Sequence, residues 1–222
     1  MTEPVPLPLG NLTRFGILGG SFNPVHVGHL AIAQQVLAEA ALEAVILMPA
    51  ATPPHKQGDP DMASAEERLE MCRLAVRNMR GLGVSDLELK RGGVSYTVET
   101  ARELRAAYGK DAQIRFIIGA DSVAELPTWY RVRELVQCAD FAIAARHEQP
   151  LDEALWDRIR EQLGEEAARK LRRSVVPIER VEVSSTLIRQ RLRAGQPLRG
   201  LLRRDVEEYI RRKGLYGAKP SR

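Results

Sequence analysis

Short apolar runs rich in Ile, Val and Phe alternate along this chain with longer segments in which apolar residues recur at helical spacing. The alternation predicts a βαβα order, and with it a parallel sheet covered by helices. Arg14–Leu18 reads as the first strand, Val27–Ala41 as a helix, Ala44–Met48 as the second strand and Ala51–Met62 as a proline-bearing loop. Ser64 followed by Glu67 is a capping-box pattern that opens a helix running to about Asn78. Val84–Leu89 then reads as a weak strand, Thr97–Ala107 as a helix, Ile114–Ile118 as a strand, Arg131–Gln137 as a helix and Asp140–Ala144 as a strand. Leu151–Arg173 reads as polar and helical, and Val175–Val183 as the last strand. Thr186–Arg193 and Asp205–Lys213 close the chain as helices, with Gly195 and Gly214 at the expected stops.

At 222 residues, 44% hydrophobic and 28% charged, the chain has the length and composition of one soluble α/β domain, and no linker or repeat divides it. No run of eighteen apolar residues exists, and Met1–Leu9 carries Glu3 and three prolines in place of a cationic leader, so neither a membrane span nor signal-led secretion is expected. Cys72 and Cys138 lie in apolar contexts without a metal-ligand spacing, which reads as two thiols in a reducing cytosol. The net charge of +4 conceals an asymmetry: residues 155–222 hold 18 Lys and Arg against 9 Asp and Glu. A basic last third suits a phosphate-bearing partner, or else a solvated helix face.

The chemistry concentrates at two junctions. Between the first strand and first helix runs Gly19-Gly20-Ser21-Phe22-Asn23-Pro24-Val25-His26-Val27-Gly28-His29. In a doubly wound sheet that junction binds ligands, and glycines there let backbone amides approach a phosphate chain. His26 and His29 are three apart, so a first helical turn puts both imidazoles on one face, aimed at one anion. A glycine pair is often only a tight turn and a histidine pair often a surface feature; their coincidence at this junction carries the argument. Zinc is disfavoured, since no third ligand lies at a suitable spacing. The second junction, Ser184-Ser185-Thr186-Leu187-Ile188-Arg189, reads either as an ordinary helix cap or as an anion site built from N–H groups, hydroxyls and a guanidinium.

Together these segments resemble the nucleotidyltransferase superfamily with its HxGH signature, and in particular the bacterial nicotinate-nucleotide adenylyltransferases. The resemblance spans nearly the whole chain through Pro53-Pro54-His55-Lys56, Ser95-Tyr96-Thr97-Val98-Glu99-Thr100, Ile118-Gly119-Ala120-Asp121-Ser122 with Trp129-Tyr130, Val206–Ile210 and Leu215-Tyr216. It implies a Rossmann-like doubly wound α/β sheet in one nucleotidyltransferase domain over 1–222, with 184–222 a helical subregion completing the ATP site. It also implies a reaction of ATP with nicotinate mononucleotide that gives deamido-NAD and pyrophosphate, with Mg²⁺ on the ATP phosphates and no dedicated protein metal site.

Carried over position by position, the resemblance places Gly19, Gly20, Ser21, Phe22, Asn23 and Gly28 at ATP, with His26 and His29 on its phosphates and Lys56 adding charge from the proline loop. Ser184, Ser185, Thr186 and Arg189 would hold the triphosphate, and Gly119 and Asp121 the adenosine. Thr97, Trp129 and Tyr130 would receive nicotinate. Three positions depart from the family's pattern: Asn23 stands where many members carry Asp, Arg203 where a proline often precedes the last helix, and no Gly-Tyr pair follows Arg146. Phosphopantetheine- or cytidyl-transferring relatives share the HxGH element but not the blocks around Thr97 and Trp129. A nucleic-acid-binding module is weakly supported, because aromatic residues are only 5% and no RNA-binding signature occurs. The expected partners are thus small molecules, with no nucleic acid or membrane, and the pattern leaves room for a homo-oligomer.

Overall fold

The computed structural model describes residues 12–146, 151–179 and 181–219, so the N-terminal stretch and the segment following Arg146 lie outside it. Strand β1 (Arg14–Gly20) leads through helix α1 (Val27–Glu39) to β2 (Ala44–Pro49), a 3₁₀ turn (Pro54–Lys56), α2 (Ala65–Val76) and β3 (Leu82–Val84). The chain continues through α3 (Leu87–Arg91), α4 (Thr97–Tyr108), β4 (Gln113–Gly119), α5 (Ala120–Glu125), α6 (Val132–Cys138) and β5 (Asp140–Arg146). After α7 (Glu153–Leu163) and α8 (Glu165–Arg173) come β6 (Val175–Ile178), α9 (Ser185–Arg193) and α10 (Arg204–Lys213).

All pairings in the six-stranded sheet are parallel and the strand order is β3-β2-β1-β4-β5-β6. This is the parallel sheet expected from the βαβα pattern, doubly wound as the family resemblance implies. Successive side chains of a strand point to opposite faces, so each strand feeds two cores. Phe15, Ile17, Ile46, Met48, Ile114 and Phe116 pack with α3 to α8, through residues such as Leu104, Leu135 and Trp156. Leu18, Val45, Leu47 and Ile117 pack with α1, α2, α9 and α10, through Ala33, Met71, Ile188 and Ile210. Gly16 belongs to this second face, where a Cβ would come within 2.8 Å of Ile117 Cδ1. The sheet reverses its winding between β1 and β4, and the crevice beyond their C-terminal ends is the ligand position of such folds. Gly20 ends one of these strands and Gly119 the other.

Three sequence expectations change. Val84–Leu89 is not a strand: β3 stops at Val84 and the apolar residues after it begin α3, because Glu88 turns inward to meet Thr100 at 2.6 Å. The helix expected over Leu151–Arg173 breaks at Gly164, whose φ of +96° a side-chain-bearing residue rarely adopts. The last strand ends at Ile178, and Val183 leaves the sheet to pack toward Gly28. The capping box holds as read, with Ser64 Oγ accepting from Glu67 N–H and the Glu67 carboxylate accepting from Ser64 N–H. Among the described residues no helix is long and apolar enough to cross a membrane.

Candidate active site

β1 delivers its terminal glycines to a turn in which Phe22 is left-handed (φ +47°) and the Asn23–Pro24 peptide is cis. His26 then caps α1. The two imidazoles stack, with ring centroids 3.7 Å apart, and the Phe22 ring meets His29 edge-on at 5.0 Å. His26 is 8% exposed and His29 is half-buried. The His26 backbone N–H donates to His29 Nδ1 at 3.2 Å, so a neutral His29 carries its proton on Nε2, as a donor.

Burial disfavours the charged form of both rings. It lowers the His26 pKa to about 4. His29 is held well below its ordinary value by burial first, then by the charges of His26 and Lys56. Lys56 itself is exposed on the 3₁₀ turn. The pair is therefore neutral at pH 7 until an anion arrives.

Two cavities flank this apparatus. A cleft of about 580 Å³ is lined by His26, Gly28, Gly119, Asp121, Glu179 and Val183, among others. It joins the end of β4 to the start of α1, bringing together four residues singled out from sequence. A Cβ on Gly28 would lie 2.8 Å from Val183 and 3.1 Å from His26 Nδ1, so only glycine keeps that wall open. The second cavity, about 110 Å³, is bounded by Pro54, His55, Ser95, Tyr96, Thr97, Trp129, Tyr130 and Leu135. Thr97 is the first residue of α4, and the Tyr96 and Tyr130 rings stand 4.4 Å apart.

α9 is docked against the histidine turn. Ser185 Oγ donates to the Pro24 carbonyl at 2.9 Å and Arg189 Nη1 to the Asn23 carbonyl at 2.9 Å. Arg189 Nε is buried without a partner among the described residues. Ser184 is the helix cap, accepting from Leu187 N–H at 3.1 Å, and Thr186 is exposed. Hence the ordinary cap reading holds for Ser184, while Arg189 is pulled to the ligand junction.

The chain matches the cytidylyltransferase-like family over residues 17–191. A probable nicotinate-nucleotide adenylyltransferase of Symbiobacterium thermophilum is 42% identical over 205 residues, covering 92% of this chain and 96% of that protein. Another, of Moorella thermoacetica, is 40% identical over 203 residues, with 91% of each chain covered. The chain belongs to the nicotinate-nucleotide adenylyltransferase family. A Plasmodium falciparum nicotinic acid mononucleotide adenylyltransferase complexed with NaAD shares the fold, with a TM-score of 0.72 at 16% identity, over 92% of this chain and 98% of that one.

Against the pattern expected of nicotinate-nucleotide adenylyltransferases, Asn23 has a local reason. Its side chain is 2% exposed. Nδ2 donates to the Asp61 carbonyl at 2.9 Å, while Oδ1 accepts from Ala63 N–H at 3.0 Å and Tyr216 O–H at 2.7 Å. A carboxylate would set an oxygen against that carbonyl. Arg203 caps α10 at φ −66°, the angle a proline ring imposes, so its backbone serves the same turn.

Sequence reasoning missed Arg68, which is 1% exposed and donates to the backbone carbonyls of Ser21, Ala51 and Ala63 at 2.9 to 3.1 Å. Its only signal was a lone Arg at an apolar-face position of α2. Glu179 in the cleft and His55 in the smaller pocket were also unread.

The histidine environment makes apo stability depend on pH. Unfolded His26 binds a proton near 6.5, but the folded chain resists it until about pH 4, so stability falls as pH drops through that window. Urea unfolding of the wild type and His26→Gln should differ in slope by roughly 1.4 kcal/mol per pH unit there. Parallel slopes would contradict the buried neutral assignment.

Proposed function

We propose that this adenylyltransferase, which joins ATP and nicotinate mononucleotide to give deamido-NAD and pyrophosphate in NAD biosynthesis, works by positioning and by neutralising charge, without a covalent intermediate. The observation that carries the reading is the pairing of a histidine-edged cleft at the β1/β4 switch with a small aromatic pocket at the start of α4.

Adenosine occupies the larger cleft, its ribose hydroxyls donating to Asp121 and its base lying along Gly119. The triphosphate extends past Gly19, Gly20, Ser21 and Gly28 to His26 and His29, with Lys56, Arg189 and the α9 start from Ser184 to Thr186 around its far end. The 5′-phosphate of the mononucleotide is already ionised and needs no general base. One of its oxygens attacks the α-phosphorus, the bond to the β-bridging oxygen breaks opposite it, and pyrophosphate leaves with that electron pair. His29 Nε2–H donates to the phosphates from a fixed tautomer. Binding negative charge beside His26 raises the proton affinity of that ring, so it supplies positive charge where negative charge develops.

ATP enzymes of this kind generally work with a divalent metal. Among the described residues no three His, Cys, Asp or Glu side chains converge to hold one; Mg²⁺ would come with the ATP substrate and supply neutralisation of its phosphate charge. His26→Ala and His29→Ala should each lower kcat roughly a hundredfold, while circular dichroism reports a folded chain. Near-normal turnover in both variants would refute the assignment.

The smaller pocket takes the nicotinate ring. Trp129 offers a π-face to the pyridinium, worth roughly 0.5–2 kcal/mol but indifferent to acid or amide. Discrimination falls to donors: the N–H groups opening α4 and the Thr97 hydroxyl meet a carboxylate's acceptor-only oxygens, whereas an amide turns NH₂ toward them. Two such mismatches at roughly 1–3 kcal/mol each predict a preference for the acid of about thirtyfold or more in kcat/KM. Pyrophosphate release from ATP with each mononucleotide, side by side, tests both levels. No release with either removes the activity, and equal kcat/KM values remove the acid-specific pocket.

A further inference from the structure

The residues leaving β2 are tied to both cavities at once. Ala50 N–H donates to the Gly20 carbonyl at 3.0 Å. Ala51 is held at both ends, its N–H donating to Ser95 Oγ at 2.9 Å and its carbonyl accepting from Arg68 Nη2 at 3.0 Å. Ser95 N–H donates to the Thr52 carbonyl at 3.0 Å, beside a one-rung parallel bridge between Thr52 and Val94. From Arg68 the second guanidinium branch reaches the Ser21 carbonyl at 2.9 Å, in the turn below the phosphates. Ser95 itself stands two residues before α4, in whose first turns Thr100 O–H donates to Glu88 at 2.6 Å.

The polar side chains around this path are removed from solvent. Arg68 is 1% exposed, Thr100 1%, and Ser95 and Glu88 8% each. Ser95 is also a wall of the aromatic pocket. The bonds run from the phosphate turn to Ser95, two residues before α4, through the single residue Ala51.

We propose that Arg68 and Ser95 are positioning residues for the transfer step, holding the phosphate turn and the nicotinate pocket in one register so that the mononucleotide phosphate meets the α-phosphorus in line. The inference rests on the substrate assignment above. Neither side chain needs to touch a reacting atom. In-line transfer is sensitive to distance, and a displacement of about 1 Å costs on the order of a hundredfold in rate. Loss of the Ser95 hydroxyl leaves the Ala51 N–H without that acceptor and frees one end of the residue. Arg68→Lys cannot span three carbonyls in fork geometry and frees the other end.

The test is a double-mutant cycle in single-turnover pyrophosphate release at saturating substrates, with KM values measured in parallel. Ser95→Ala should slow the transfer about tenfold while the KM for ATP stays within about twofold, and thermal unfolding should show it folded at the assay temperature. Ser95→Ala combined with Arg68→Lys should lose less than the product of the single losses, because both loosen the same residue, Ala51. Three results overturn the proposal: a raised mononucleotide KM with unchanged transfer rate, which makes Ser95 only a pocket wall; losses that multiply; or losses that follow the unfolded fraction alone. If Arg68→Lys fails to fold, the rate-against-KM split of Ser95→Ala decides by itself. Failure of the substrate assignment is separately visible, as absence of pyrophosphate release by the wild type.

Discussion

A guanidinium buried beneath the phosphate turn constrains the whole ligand face of the sheet. Arg68 cannot be solvated where it sits, and a buried charge is tolerated only when its donors are satisfied. Three backbone carbonyls satisfy it, one each from the turn after β1, the segment after β2 and the approach to α2. Hydrogen bonds to a charged group contribute roughly 1.5–3 kcal/mol each. The loops are therefore not free to vary independently, and the positions of Ser21, Ala51 and Ala63 are solved together.

That constraint leaves a particular kind of chemistry. The turn held by Arg68 presents glycines and then His26 and His29, whose burial keeps them neutral in the free protein. The stacked pair, with one tautomer fixed by the His26 N–H, leaves His29 Nε2–H as a donor, which is what the proposed phosphate contact requires. From the opposite side α9 brings Arg189, itself anchored on the Asn23 carbonyl. Asn23 and Tyr216 close the rear of the turn, so the C-terminal part of the chain contributes to the site's shape as well as its charge. Nucleophile and leaving group both arrive ionised; the protein's task is geometry and neutralisation.

Much of this was legible in the sequence where local chemistry and periodicity agree. His26 and His29 at three-residue spacing after a glycine pair place themselves on one helical face, and the strands that wind the sheet announce themselves as β-branched runs. Legibility failed where a residue's meaning depends on a distant partner. Arg68 shares the apolar face of α2 but stands among Glu66, Glu67 and Glu70, and nothing nearby says that its guanidinium crosses to Ser21, 47 residues away. Glu88 similarly disguised α3 as strand, because an inward carboxylate bonded to Thr100 runs against the usual polar-out pattern. Ser184 marked the junction correctly, yet its hydroxyl serves the helix, and the more informative residue was Arg189, one turn on.

The central claim is that one phosphate attacks another directly, with the protein supplying position and charge and no covalent adduct. ATP made chiral at the α-phosphorus by sulfur substitution tests this most directly. A single in-line displacement predicts that the deamido-NAD analogue forms with inverted configuration at that phosphorus. Retention would require two displacements through an adenylylated side chain, and would contradict the account.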